Sequence, residues 1–407
     1  MKLWIAGLLA IAAPVFAADA VDAAIAKNRM GTLVVRAAPG TKIAVEQLRH
    51  EFWFGATLPS GVFNNGRISA DEIAKFKQVF LENFNAAVLE NAFKWPEMEP
   101  ERGKVNYSVV DNALDWADRE GIPVRGHCIF WGIQNRVQKW LLPLNELDLR
   151  LALQQRARSV AARYRGRFAE YDLNNEMIHG NYYAQVLGPA ITKDMAQWVK
   201  DGDPDARLFV NDYDITTGRR LADYVKDIRR LLDLGVPLAG IGVQGHLHGD
   251  TFDAAALQNA LDELSQFKLP IRITEFNFPG QRSKFYTTEK TARMTPEEEQ
   301  AKAVNLRDFY RICFAHPAVE GIMMWGFWEG ANWIPQSSLY ARDWTPLPAA
   351  ATFHDLTRKE WWTKWSGTAN AEGVAVVPAF YGKYKVRVGE REVTVELKRA
   401  DRVKLVD

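Results

Sequence analysis

The sequence predicts an α/β protein built as a (β/α)8 TIM barrel, with a small β-rich accessory module made from its N- and C-terminal segments. Three observations carry this. From residue 51 onward, short apolar runs of β character alternate with helix-like stretches eight times over. No G-x-G-x-x-G follows the first run, which disfavours the doubly wound sheet that shares the alternation. Residues able to do chemistry recur where the runs end, and such barrels carry their sites at the C-terminal ends of the strands.

The elements follow in order. The start, "MKLWIAGLLAIAAPVFAADA", has one Lys, an apolar run and small residues at the cut after Val15-Phe16-Ala17. It is expected to be a signal peptide over 1–18, too short to span a membrane. A secreted or periplasmic protein with no membrane partner follows from that reading. No Cys stands at the cut, which argues against a lipid anchor. Residues 25–50 and 364–407 are expected to form one small antiparallel β module packed on the barrel. Within them "GTLVVRAAPGTKIAVEQLRHEF" (31–52) reads as a hairpin around Pro39-Gly40, and "VGER" (388–391) as a turn in a strongly alternating tail. A structural cap on the barrel is favoured over a sugar-binding module.

The barrel itself is expected over 51–363. Its strands read at 51–58, 86–90, 123–131, 168–176, 206–213, 240–247, 270–276 and 321–327. Helical patterns fall at 71–84, 108–120, 148–165, 192–200, 219–234, 253–267 and 296–315. Ser69 and Thr251 read as N-caps, and "TPEEE" (295–299) puts Pro at the first helical position with acids in the first turn. Gly121 and Gly235 stand where helices should stop.

Composition sets bounds. A net charge of +1 with 25% charged residues offers no basic stripe for nucleic acid and no acidic tail. Cys128 and Cys313 are the only cysteines, so disulfides are not the stabilising device and both read as small buried hydrophobes. The 14 Trp and 12 Tyr are mostly core, although indoles at a barrel mouth would suit the C–H faces of sugars.

At the strand ends stand Glu90, His127, Trp131, Glu176, Asn211, His246, Glu275 and Trp325. Any one of them could be a satisfied structural residue; all of them at one end is the signal. Glu176 and Glu275 end strands four and seven, which face one another across the mouth. Two carboxylates there suit glycoside hydrolysis, one protonating the leaving oxygen and the other attacking the anomeric carbon. The bland alternative is a pair of salt-bridged acids. Alternation is taken to put Glu275 on the face of Ile271 and Ile273, and Glu176 on that of Asp172 and Asn174, both toward the barrel axis. Asn175 is expected to bond a sugar hydroxyl beside the scissile bond. Gln244 and His246 share a strand face, and His246 is expected to orient Glu275 and keep it ionised. The charge of Glu275 should then raise the pKa of Glu176. These roles make Glu275 the nucleophile and Glu176 the acid/base, and predict retention with carboxyl groups about 5–5.5 Å apart. No metal or cofactor is expected, because His127, His246 and His248 lack a ligand spacing. His248 is expected to face solvent or substrate.

The ordered motifs are "ENAFKWPEMEPERG" (90–103), "RGHCIFW" (125–131), "NNE" (174–176), "NDY" (211–213), "QGH" (244–246), "ITEF" (273–276) and "MWGFWEGANW" (324–333). Over 51–363 the chain resembles glycoside hydrolase family 10, the endo-β-1,4-xylanases. "VEQLRHEFWFG" (45–55) and "EWWT" (360–363) resemble the plant branch. The resemblance implies that Glu176 is the acid/base and Glu275 the nucleophile. It implies that Glu90, Asn91 and Lys94 hold the second sugar on the non-reducing side, and that His127 and Trp131 surround the sugar being cleaved. Asn211 and His246 would form the network about the nucleophile, with Tyr213 and Gln244 as further supports, and Trp325 and Trp333 as the indoles walling the mouth. The implied partners are xylan and xylo-oligosaccharides, the implied state a monomer without cofactor. Four positions depart from the family pattern: Gly132 where His is usual, Gln134 in a longer loop, Asn174 where an apolar residue is usual, and Asn277 where Asp is common. Two other readings stay open. One is an exo-acting or oligosaccharide-specific β-xylanase or β-glucanase on the same barrel. The other is an inactive xylan-binding protein, which would have no need of both Glu176 and Glu275.

Overall fold

A computed structural model describes residues 18–64, 66, 68–247 and 252–407. The expected leader, apart from Ala18, lies outside the described residues, as do Thr251 and His248. The barrel strands are β1 (Trp53–Leu58), β2 (Ala86–Leu89), β3 (Val124–Gly126), β4 (Phe168–Asn175), β5 (Leu208–Asp212), β6 (Leu238–Val243), β7 (Ile271–Phe276) and β8 (Val319–Met324). Each pairs in parallel with the next, and β8 returns to β1 with Gly321 opposite Trp53, so the sheet closes. The single run expected at 123–131 is interrupted: Phe130–Trp131 is a separate two-residue strand on the end of β4.

Helices cover the barrel: α1 (Ala70–Asn83), α2 (Ser108–Glu120), α3 (Glu146–Arg163), α4 (Ile191–Gly202), α5 (Leu221–Asp233), α6 (Ala254–Ser265), α7 (Pro296–Ala315) and α8 (Pro348–Asp355). Local chemistry explains several ends. Ser69 and Glu72 form a reciprocal capping box on α1, and Thr295 with Glu298 forms another on α7, with Pro296 at its first position. Gly121 takes φ 65° and ends α2, a conformation that favours glycine. The cap of α6 is Asp253, whose carboxylate accepts from the amides of Ala255 and Ala256. The start of α3 falls at Glu146 because Asn145 caps it.

Both faces of the barrel sheet are buried. Phe54, Leu208, Val210, Ile241, Ile271, Ile273 and Ile322 belong to the apolar layer shared with the helices. Inside, only Ala86, Val88, Met323 and Trp325 form an apolar cluster, with Trp53 against it. The remaining interior is ionic. Arg272 donates from Nε and Nη2 to the two oxygens of Glu170, both at 3.0 Å, while Arg125 donates to Glu170 and Asp172. Such a set is tolerable in a dry interior only because every charge is answered. The small residues of neighbouring strands make room for it. A Cβ at Gly240 would lie 2.1 Å from the Phe209 ring, on which Arg125 stacks at 4.8 Å. The expectation that Ile271 and Ile273 share the inward face with Glu275 is therefore overturned: Arg272 and Thr274 point inward, and the isoleucines pack on the helices.

The flanking segments depart further from expectation. Pro39-Gly40 does make a turn, but its two arms do not pair with each other. Met30–Arg36 pairs antiparallel with Val374–Phe380 and parallel with Val403–Val406, in a three-stranded sheet. Lys42–His50 joins Lys364–Thr368 and Gly382–Val388 in a second, four-stranded sheet. The two sheets bury their own core of Leu33, Val35, Ile43, Val45, Tyr384 and Val386. Gly382–Val388 and Arg391–Leu397 form a hairpin turning at Gly389. An unforeseen helix, Ala18–Arg29, runs into the first sheet, and its Arg29 donates to the carbonyls of Phe314, His316 and Val319 at 2.5–2.7 Å.

Candidate active site

The ionic interior leads upward to the barrel mouth. Asp172 accepts from His127 Nδ1 at 2.8 Å, and His127 Nε2 lies 4.0 Å from Glu275 Oε1. Glu275 is buried at the end of β7. A register slip between Ile273 and Phe276 turns it inward directly after inward-pointing Thr274. Its Oε1 accepts from Asn211 Nδ2 at 3.0 Å and its Oε2 faces His246 Nε2 at 3.1 Å. Burial alone would raise its pKa. The His246 bond, with the charges of His127, His246 and Lys94, outweighs burial and brings it down to about 2. Beyond His246, Nδ1 meets Asn277 Oδ1 at 2.8 Å.

Glu176 leaves β4 with a left-handed backbone, φ 60°, a conformation that costs a non-glycine residue energy and recurs at functional sites. A register slip between Asp172 and Asn175 accompanies this exit. Its consequence is that Asn175, not Asn174, reaches across to accept from Asn211 Nδ2 at 2.9 Å. Asn174 is fully buried with neither amide atom bonded, an arrangement that costs about 1–3 kcal/mol per unsatisfied group. The Glu176 carboxylate accepts from Gln244 Nε2 and from Trp131 Nε1, each at 2.8 Å. Burial pushes its pKa up, and the charge of Glu275 pushes it further; the two neutral donors only partly oppose this. Burial, not the neighbouring carboxylate, is the larger cause, which reverses the emphasis expected from sequence.

Asn211 joins the two strand ends that carry the acids, and its backbone carbonyl accepts from Glu176 N at 2.8 Å. Its amide nitrogen bonds Asn175 and Glu275, and its oxygen accepts from Thr274 at 2.6 Å. On the β2 side, Glu90 is half-buried, desolvation raises its pKa, and Lys94 Nζ donates to Asn91 Oδ1 at 2.9 Å. The Lys94 ammonium lies 4.9 Å from the Trp131 ring and 5.7 Å from that of Trp325, so this polar trio joins the same mouth. The two further indoles differ. Trp325 is only 6% exposed and meets His127 edge-on at 5.3 Å, forming floor rather than wall. Trp333 is 36% exposed and lies 5.5 Å from the His246 ring. Tyr213 stacks on His179 at 3.5 Å, and buried Asp212 accepts from Ile178 N and Tyr213 N while contacting His179 Nδ1 at 2.7 Å.

All fourteen residues singled out from sequence thus gather at one end of the barrel, whereas Gln134 is exposed in a single 3-10 turn. A Cβ at Gly132 would sit 3.1 Å from Asn181 Oδ1, tight for any larger residue. Sequence reasoning missed Arg125, Glu170, Arg272, Asp212 and His179, and placed Asp172 toward the axis without giving it a role. Arg125 and Asp172 stand inside or beside quoted motifs, and an arginine within an apolar strand was the available signal. Among the described residues no group of three His, Cys, Asp or Glu is arranged to hold a metal ion.

A closed parallel barrel with an ionised carboxylate and a second one of raised pKa at its C-terminal mouth is the arrangement that two-carboxylate glycoside hydrolysis uses. The model of Glycosyl hydrolase family 10 matches residues 48–356. Relatives include "Anti-sigma-I factor RsgI6" of Acetivibrio thermocellus, 35% identical over 86% of this chain, and "Endo-1,4-beta-xylanase 1" of Arabidopsis thaliana, also 35% identical over 86%. The chain spans 43% and 34% of the lengths of these two proteins. In fold it is similar to native xylanase 10B from Thermotoga maritima, with a TM-score of 0.67 at 23% identity, covering 76% of this chain and 96% of that one. The chain belongs to glycosyl hydrolase family 10.

Proposed function

We propose that this protein is an exported endo-1,4-β-xylanase that cleaves internal bonds of xylan with retention of configuration, using Glu275 as nucleophile and Glu176 as acid/base. One observation carries the mechanism: the opposed states of two acids at one mouth. Glu275 is held ionised by His246 and Asn211, ready to attack the anomeric carbon. Glu176 is held toward its protonated form and can pass that proton to the departing glycosidic oxygen. The C–O bond to the leaving sugar breaks as the bond to Glu275 forms. Esterified Glu275 carries no charge, so its contribution to the raised Glu176 pKa vanishes. Glu176 then takes a proton from water, whose oxygen attacks the same carbon and releases Glu275. Two inversions return the starting configuration.

Xylan as substrate is supported by the Arabidopsis relative's name and by the Glu90, Asn91 and Lys94 trio, whose groups suit several hydroxyls at once. Export is supported by the leader-like start. The protein is taken to act as a monomer. The decisive assay follows anomeric proton signals during hydrolysis of xylohexaose and glucuronoxylan. β-Anomers first, with mixed mid-sized products, are expected; α-anomers first would overturn retention, and release of one fixed short product would make the enzyme exo-acting. A second reading, an inactive xylan-binding protein, draws on the relative whose name, an anti-sigma-I factor, is not that of an enzyme. Binding with no release of reducing sugar would decide for it.

A further inference from the structure

The opposite end of the barrel holds a second cavity of about 210 Å³, between the strand starts and the β module. Arginine dominates it. Arg29, Arg207, Arg272 and Arg399 line it against two carboxylates, Glu51 and Glu320. Among the described residues neither Arg207 nor Arg399 forms an ion pair with a carboxylate; Arg399 Nη1 donates to the Pro317 carbonyl at 2.8 Å. Arg29 spends its bonded nitrogens on backbone carbonyls, which leaves its charge uncancelled at contact. Arg272 is the exception. It is 3% exposed, its Nε and Nη2 grip Glu170, and its Nη1 is buried without a hydrogen-bond partner. That nitrogen is enclosed and the Arg272 charge is answered by Glu170, so a ligand in the cavity meets the charges of the other arginines. Gly321 lets that nitrogen pack close against the strand, since a Cβ there would fall 2.4 Å from it and 2.6 Å from Trp53 Cβ. Trp53, 4.0 Å from the Arg272 guanidinium, and Tyr381 supply flat apolar surface in the same wall.

We propose that this cavity binds a small hydroxylated carboxylate, such as a sugar acid. Its carboxylate would pair with both Arg207 and Arg399. Its hydroxyls would donate to Glu51 and Glu320, and its C–H face would lie on an aromatic ring. The two acids select against a compact dianion, which they would repel, and in favour of a singly charged ligand with donors of its own. The site stands apart from the carboxylate pair at the mouth and does not depend on the cleavage reaction.

Isothermal titration of the whole protein with D-glucuronate, D-glucose and sodium sulfate tests this. Saturable glucuronate binding is expected, with no glucose binding and at least tenfold weaker sulfate binding. Arg207→Gln and Arg399→Gln should each weaken glucuronate at least tenfold, while excess xylobiose leaves it bound. Arg207 is exposed, so that variant keeps its fold. Absence of glucuronate binding at millimolar concentration overturns the proposal. So do equal binding of glucose or sulfate, unchanged affinity in both variants, or displacement by xylobiose, which would put the ligand at the other rim.

Discussion

Glu170 lies within β4 and Glu176 just beyond it, yet the two carboxylates are opposites. Glu170 is gripped by two guanidiniums, and although burial would raise its pKa, those cations bring it down to about 2. Glu176 receives one amide and one indole N–H, and its pKa stays raised. The difference lies in what answers the charge. Fixed cations consume a carboxylate and make it structural. Neutral, directional donors orient it but leave its proton negotiable. Glu275 stands between them: ionised like Glu170, but held by an imidazole and an amide rather than by two guanidiniums.

Breaking the comparison at its reactive end should have the largest effect. Glu275→Ala should lower hydrolysis by roughly 10⁴-fold or more, the scale on which nucleophile deletions act. Added azide should restore turnover with an α-configured product, and a β-configured product would assign the nucleophile elsewhere. Glu176→Ala should cost about 10²–10⁴-fold on xylo-oligosaccharides but little on aryl xylosides whose leaving group needs no proton. Equal losses on both would remove it as the acid. At the structural end, Arg125→Met strands Glu170 and Asp172 without one of their cations. It should destabilise the fold by about 3–5 kcal/mol, seen as an early midpoint in urea, and a wild-type midpoint would show that the ionic interior does not hold the barrel together. Gln244→Ala sharpens the contrast most gently. The Gln244 bond favours ionised Glu176, so its loss raises the Glu176 pKa. The alkaline limb of kcat/KM, where the acid loses its proton, should then move to higher pH; movement the other way would contradict the hydrogen-bond assignment.

Much of this was legible locally. Barrel strands announce themselves as apolar runs, helices by Ser69 and Thr295 at their starts, and the mouth by polar residues where apolar runs stop. What failed was nonlocal. Alternation misjudged the faces of β7 and the end of β4, because both strands slip register near the mouth. Pro39-Gly40 has the chemistry of a hairpin turn, but its arms find partners more than three hundred residues away. Arg125, Glu170, Asp172 and Arg272 read singly as charges in strands, and only their meeting across the barrel gives them meaning. That burial outranks Glu275 in setting Glu176 is likewise a property of enclosure, which no spacing expresses.

The parallel pairing of Met30–Arg36 with Val403–Val406 has a consequence for biosynthesis. A strand that precedes the barrel waits for one that follows every barrel strand, and closing so long a loop is slow. The barrel can therefore close before its underside is covered. Newly made molecules should pass through a stage with a finished catalytic mouth and an unclad base, and that is the stage at which chaperones would find them.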